Sequence, residues 1–142
     1  MRPAHRPGTR MWLLLPAAAA LVLSGLAAGC SSSKPAYCTA ADQLKTSVQD
    51  LGNVNVVQNG LSSLQTALTS VKTNTTTLAN EAQSTFAPQI TALQNSLSGL
   101  QTAINSAKGQ PSVSAAAAVV PSLTQVKTSA SALQSAVSGK CQ

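Results

Sequence analysis

The sequence predicts an all-α fold, an antiparallel helical bundle of about four helices with heptad-like seams. Three observations predict it. Apolar residues recur at alternating three- and four-residue spacing through most of residues 44–137, the period of one helix face. Glycine and proline interrupt that pattern near residues 52, 84–88 and 109–111, where helices stop or turn. The positions between are Ser, Thr, Gln and Asn rather than Glu and Lys. With few ion pairs and modest intrinsic propensity, such helices depend on packing of their seams.

The first helix is expected from Thr39, because Thr39-Ala40-Ala41-Asp42 matches a capping box. Leu44, Val48 and Leu51 follow, and Gly52-Asn53 marks the turn. The second seam runs Val54, Val57, Leu61, Leu64, Leu68, Val71, Thr75, Leu78 and Ala82. Thr75 is its one polar lapse, and Gly60 and Thr75-Thr76-Thr77 lower its helicity. The third seam is Phe86, Ile90, Leu93, Leu97, Leu100, Ile104 and Ala107, stopped by Gly109 and Pro111. The fourth is Ala116, Val119, Leu123, Val126, Ala130, Leu133 and Val137, with Pro121 inside it and Gly139 as its stop. Leu64, Leu68, Leu93, Leu97 and Leu100 are therefore predicted buried, and Gln65, Gln94 and Gln101 solvent-facing. Residues 61–72 and 97–108 match at eight of twelve positions. Duplication of a helical hairpin explains this, as does heptad constraint on a small alphabet.

Ahead of the helices stands a different kind of segment. Arg2, Arg6 and Arg10 precede the apolar run 11–23, and small residues lead to Leu26-Ala27-Ala28-Gly29-Cys30. A positive start, a short apolar stretch and a small-residue end form an export signal. A retained transmembrane helix needs about 20 apolar residues, whereas this run contains Pro16. Ending on Gly29-Cys30, the segment resembles the lipobox of bacterial lipoproteins, although Ala27 stands where that motif usually has Leu. The resemblance implies diacylglycerol on Cys30, cleavage before it and a mature chain beginning there. Ordinary secretion with cleavage after Ala28 or Gly29 is the next reading. The expected organisation is a lipoprotein signal peptide over 1–29, a lipidated Ser-rich tether over 30–37 and a helical bundle domain over 38–141. A tether of seven residues reaches roughly 25 Å, and two acyl chains anchor where one binds marginally. The expected location is the extracytoplasmic face of the cell membrane.

With Cys30 as the lipidation site, Cys38 and Cys141 remain, one at each end of the folded region. Outside the cytoplasm such a pair is usually a disulfide, whereas redox-active pairs are close in sequence, as in C-x-x-C. A bridge brings Cα atoms within about 4.4 to 6.8 Å, so the bundle must begin and end at one place. Predicted helix lengths of about 20, 43, 30 and 40 Å leave a straight fourth helix overshooting Cys38 by about 30 Å. A chain reversal at Pro121 would close the gap.

Composition narrows function. The arginines and the lone histidine, His5, all lie before Cys30. Six lysines against Asp42, Asp50 and Glu81 then leave a net charge near +3. Without His or Arg, imidazole-based acid–base and nucleophilic chemistry and His-ligated metal sites are missing. Asp42 and Asp50 fit helix-cap and surface roles better than a catalytic pair. No cofactor is implied, and the chain reads as a non-enzyme. Scattered lysines and, after Cys30, two aromatics, Tyr37 and Phe86, argue against nucleic acid as a partner.

Tyr37-Cys38 and Cys141 also make the chain similar to small alanine-rich exported lipoproteins of actinobacteria, a resemblance that implies location and helical build but no catalytic or binding residue. The expected function is a non-enzymatic interaction or structural module of the cell envelope. It would be held at the membrane through Cys30 and would meet an envelope protein or polymer through its Ser/Thr/Gln faces. The alternative is a carrier holding an apolar ligand between its helices, with residues 115–118 leaving room. A bundle cavity of roughly 300 Å³ or more favours the carrier, and a solid core favours the module.

Overall fold

The computed structural model describes residues 33–110 and 112–142. Four helices follow one another: α1 Ala36–Asn53, α2 Val56–Ala82, α3 Ala87–Gly109 and α4 Val113–Ser138. Packing is most extensive between α1 and α2 and between α3 and α4, so the bundle is two helical hairpins laid together. The described residues form one compact unit.

Helix α1 begins earlier than the capping box suggests. Its N-cap is Pro35, whose carbonyl accepts the Cys38 amide at 2.9 Å. Thr39 lies exposed inside the helix and caps nothing. Proline's fixed φ starts the first turn without a side-chain cap, and that turn buries Cys38. Ala36 and Tyr37, expected in the tether, therefore belong to the folded body. The Tyr37 ring meets Phe86 edge-on with centroids 5.5 Å apart.

The second helix restarts once. Asn55 accepts the Gln58 amide on its Oδ1 at 3.2 Å, an N-cap contact that opens the first turn. Gly60 then takes φ 74° and ψ 173°, a backbone open to glycine and costly for residues with a Cβ. The straight part of α2 runs from Leu61. Ala82 ends it, with Gln83 at φ 49°, and Pro88 sits in the first turn of α3, where proline is tolerated. Ser112 caps α4 by accepting the Ala115 amide at 3.1 Å.

Helix α4 is continuous across Pro121, so the expected reversal there does not occur. Proline cannot donate to the carbonyl four residues back. Here that residue is Ala117, and both Ala117 and Pro121 are exposed, so water can take the free carbonyl. The length mismatch is resolved elsewhere. Helix α1 is longer than expected and Gly60 shortens straight α2. Opposed helices then total about 62 Å in one direction and about 72 Å in the other, a difference the segment 54–60 can span.

The seams form the core. Leu64, Leu68, Leu93, Leu97 and Leu100 are buried as predicted. All seven residues of the third seam are buried, from Phe86 to Ala107. Leu61, Ala116 and Leu123, near the end opposite the disulfide, are only half-buried. Gln94 faces solvent, but Gln65 and Gln101 are half-buried, because both flank the contact between α2 and α3. Thr75 is buried inside its seam, and its hydroxyl donates to the Val71 carbonyl at 2.7 Å. Satisfying that hydroxyl inside its own helix lets a polar residue occupy an apolar position. No buried side-chain polar atom among the described residues lacks a partner.

Candidate functional site

Cys38 and Cys141 are bonded, with Cα atoms 5.9 Å apart at a sequence separation of 103. The bridge ties the first turn of α1 to the residues just after α4, where the Cys141 amide donates to the Val137 carbonyl at 3.1 Å. Cys30 lies outside the described residues. Asp42 and Asp50 are both exposed and open on different grooves. Asp42 lies beside α4 near the disulfide, whereas Asp50 lies between α1 and α2 with Ser70 and Asn74. They form no carboxylate pair.

The hydroxyl-rich surface has a specific chemistry. Thr46, Thr66, Thr69, Thr76, Thr77, Ser98, Thr102, Thr124 and Thr128 each donate to the carbonyl four residues back, at 3.0 to 3.2 Å. A hydroxyl so engaged keeps only its lone pairs for a neighbour. Much of the Ser/Thr surface therefore presents acceptors rather than donors.

The groove between α1 and α4 differs. Nearest the disulfide it is lined by Lys34, Ala41, Asp42, Lys45, Gln134 and Ser138. It continues through Lys45 and Gln134 into a cleft of about 480 Å³ lined by Lys45, Gln49, Gly52, Asn53, Lys127, Ser131 and Gln134. No carboxylate lines this second part. The side chains of Lys45, Gln49, Asn53, Lys127, Ser131 and Gln134 make no hydrogen bond or ion pair among the described residues. Gly52 lets Lys127 lie close against α1. A Cβ there would lie 2.6 Å from Lys127 Cε and 3.0 Å from its Nζ, so the lysine rests directly on the α1 backbone. Two cations thus stand among unengaged amides and a hydroxyl. The arrangement can receive an anion.

Sequence reading missed this cleft because its lysines look scattered. Lys45 and Lys127 are far apart along the chain, and only the α1–α4 pairing brings them together.

A second cleft, of about 590 Å³, opens at the end of the bundle away from the disulfide. Val56, Gly60, Leu61, Ala107, Val113 and Ala116 line it, with Lys108 at its margin. Beside it Val113 is 87% exposed and Val120 58%. Their exposure follows from unequal helix lengths. Helix α1 ends one residue beyond Gly52, whereas α4 continues for nearly four further turns on the N-terminal side of Lys127.

Among the described residues no group of His, Cys, Asp and Glu could hold a metal ion. No described helix is long and apolar enough to cross a membrane. The chain matches no family model, and no curated protein or solved structure shows significant similarity to it.

Proposed function

We propose that this chain is a non-enzymatic interaction or structural module of the cell envelope, held on the extracytoplasmic face of the membrane by a lipidated Cys30. The observation that carries the reading is the Cys38–Cys141 bridge across the whole helical body. Structural disulfides persist in oxidising compartments and are rare in the cytosol, so the bridge supports export by the signal that ends at Gly29-Cys30. With the helix starting at Ala36, the free tether shrinks to residues 31–35, roughly 17 Å when extended. A body held that close acts through position, meeting an envelope protein or polymer beside the membrane.

The non-enzymatic part of the reading is supported by chemistry. The chain after Cys30 has no His or Arg, its two carboxylates on α1 open on separate grooves, and two of its thiols are joined. Nucleic acid fits poorly as a partner, since Tyr37 and Phe86 pack against each other rather than offering stacking platforms.

The distal apolar cleft favours the alternative, a carrier for an apolar ligand, because Val113 and Ala116 help to line it. It opens at the ends of the helices, however, and the seams between them are closed by buried Leu64, Leu68, Leu100 and Leu133. The module is therefore preferred. Crosslinking in intact cells tests it. Capture of a defined envelope protein or polymer, lost when Cys30→Ala releases the chain, supports the module. Lipid co-purifying with the extracted protein in stoichiometric amount, beyond the acyl groups on Cys30, supports the carrier instead.

A further inference from the structure

Along α4, Val113, Ala117, Val120, Thr124, Lys127, Ser131, Gln134 and Ser138 recur at alternating four- and three-residue spacing, one stripe along the helix. Its C-terminal half borders the groove with Lys34, Lys45 and Lys127. Its N-terminal half, past the end of α1, exposes Val113, Ala117 and Val120. One face of the bundle thus holds cations and unengaged hydrogen-bond donors at one end and bare apolar side chains at the other. Lys34, at the disulfide end, is four residues from Cys30.

We infer that this α1–α4 face seats on an anionic lipid surface, with headgroup phosphates held between Lys45 and Lys127 and the Val113–Val120 stripe entering the interface. Each half of the face has its own ground. Phosphate is an acceptor that lysine and neutral donors such as Gln49, Gln134 and Ser131 can hold together. Asp42 is the one carboxylate along the groove, set against three lysines there. Val113 and Val120, with Lys127 further along the same helix, put apolar and cationic side chains on one element, as in helices that lie in the headgroup region rather than across it. The opposite face lacks this combination. Lys72 there lies beside Thr75, Thr76, Gln94 and Ser98.

Lying on this face is an addition to anchoring at Cys30 and does not depend on it. The experiment therefore uses residues 31–142, a piece that contains the whole compact unit and its disulfide and lacks Cys30. Helicity by circular dichroism is checked for each variant. Co-sedimentation with phosphatidylglycerol–phosphatidylcholine vesicles is compared with phosphatidylcholine alone, and amide spectra are recorded with inorganic phosphate. Binding to the anionic vesicles only, falling with salt, is expected. Each lysine near an anionic surface contributes about fivefold to binding, so Lys45→Gln with Lys127→Gln should weaken it about 25-fold. Val113→Ser with Val120→Ser should weaken it further, and Lys72→Gln should change it by about twofold at most, against about fivefold for Lys45→Gln alone. Equal losses from Lys72→Gln and from Lys45→Gln would show diffuse charge attraction and overturn the assignment. So would phosphate shifting the Gln49 and Gly52 amides without any vesicle binding, which would mean a soluble anion as ligand. Absence of vesicle binding would overturn it while leaving the Cys30 anchor standing.

Discussion

Lys108, the last residue of one repeated twelve-residue segment, donates across the α2–α3 contact to Gln65 Oε1, the fifth residue of the other. The two copies run antiparallel, so their counterparts Lys72 and Gln101 occupy the mirrored place, the arrangement expected of a self-complementary pairing. The mirrored bond is not made. Gln101 instead donates to Asn105 one turn on, at 3.2 Å. Thr69 stands where Asn105 would be in the first copy, and its hydroxyl is spent on the Gln65 carbonyl. The Thr/Asn difference gives the Gln101 amide a partner on its own helix that Gln65 lacks.

That relationship changes one expectation about the surface. Gln65→Ala removes a charge-assisted contact and should cost about 1 kcal/mol. Gln94→Ala, fully outside, should stay within about 0.5 kcal/mol. Leu68→Ala in the buried seam should cost about 2 to 5 kcal/mol. Denaturant unfolding of the three variants gives the order directly, and equal effects at Leu68 and Gln94 would mean that the seam is misplaced.

Pro121 tests the continuity of α4. In a continuous helix Pro121→Ala restores an amide donor to the Ala117 carbonyl and relieves the ring's clash, gaining up to about 3 kcal/mol. The melting temperature should rise. Were residue 121 a point of chain reversal, the same change would lower it.

The opposite result is expected at Gly60. Its φ of 74° and ψ of 173° lie where a Cβ is strained, so Gly60→Ala should cost about 1 to 3 kcal/mol. Gly99, with no atom within 4 Å of a Cβ placed there, is the control. Gly99→Ala should gain about 0.5 to 1 kcal/mol, and a Gly60 variant as stable as the Gly99 variant would contradict the break in α2.

Replacing Cys38 and Cys141 by serine opens a loop of 103 residues. Chain entropy puts the loss at up to about 4.7 kcal/mol. For a domain of this size the melting point should fall by about ten degrees or more. An unchanged melting point would mean that the bridge contributes nothing to the folded body.

Fold class and core were legible because Leu, Val and Ile spacing alone fixes which face of each helix is buried. The third seam shows this, since every residue assigned to it is inside. Boundaries were less legible where backbone, not periodicity, decides. Pro35 starts α1 ahead of the Thr39 box, and Gly60 breaks α2 through a dihedral that composition only hints at. Pro121 reads as a break until it is known that its orphaned carbonyl partner faces water. The candidate site was the least legible part. Lys45 and Lys127 become a pair only when α1 meets α4, and Val120 is left bare only because α1 is the shorter helix.

The central claim is a disulfide-closed helical body tied to the membrane at Cys30, and intact mass of the membrane-extracted protein tests it most directly. The account predicts loss of residues 1–29, added mass from thioether-linked diacylglycerol on Cys30, and no alkylation of Cys38 or Cys141 without reductant. A mass that retains residues 1–29, or a chain beginning at Cys30 with no acyl group, would contradict it.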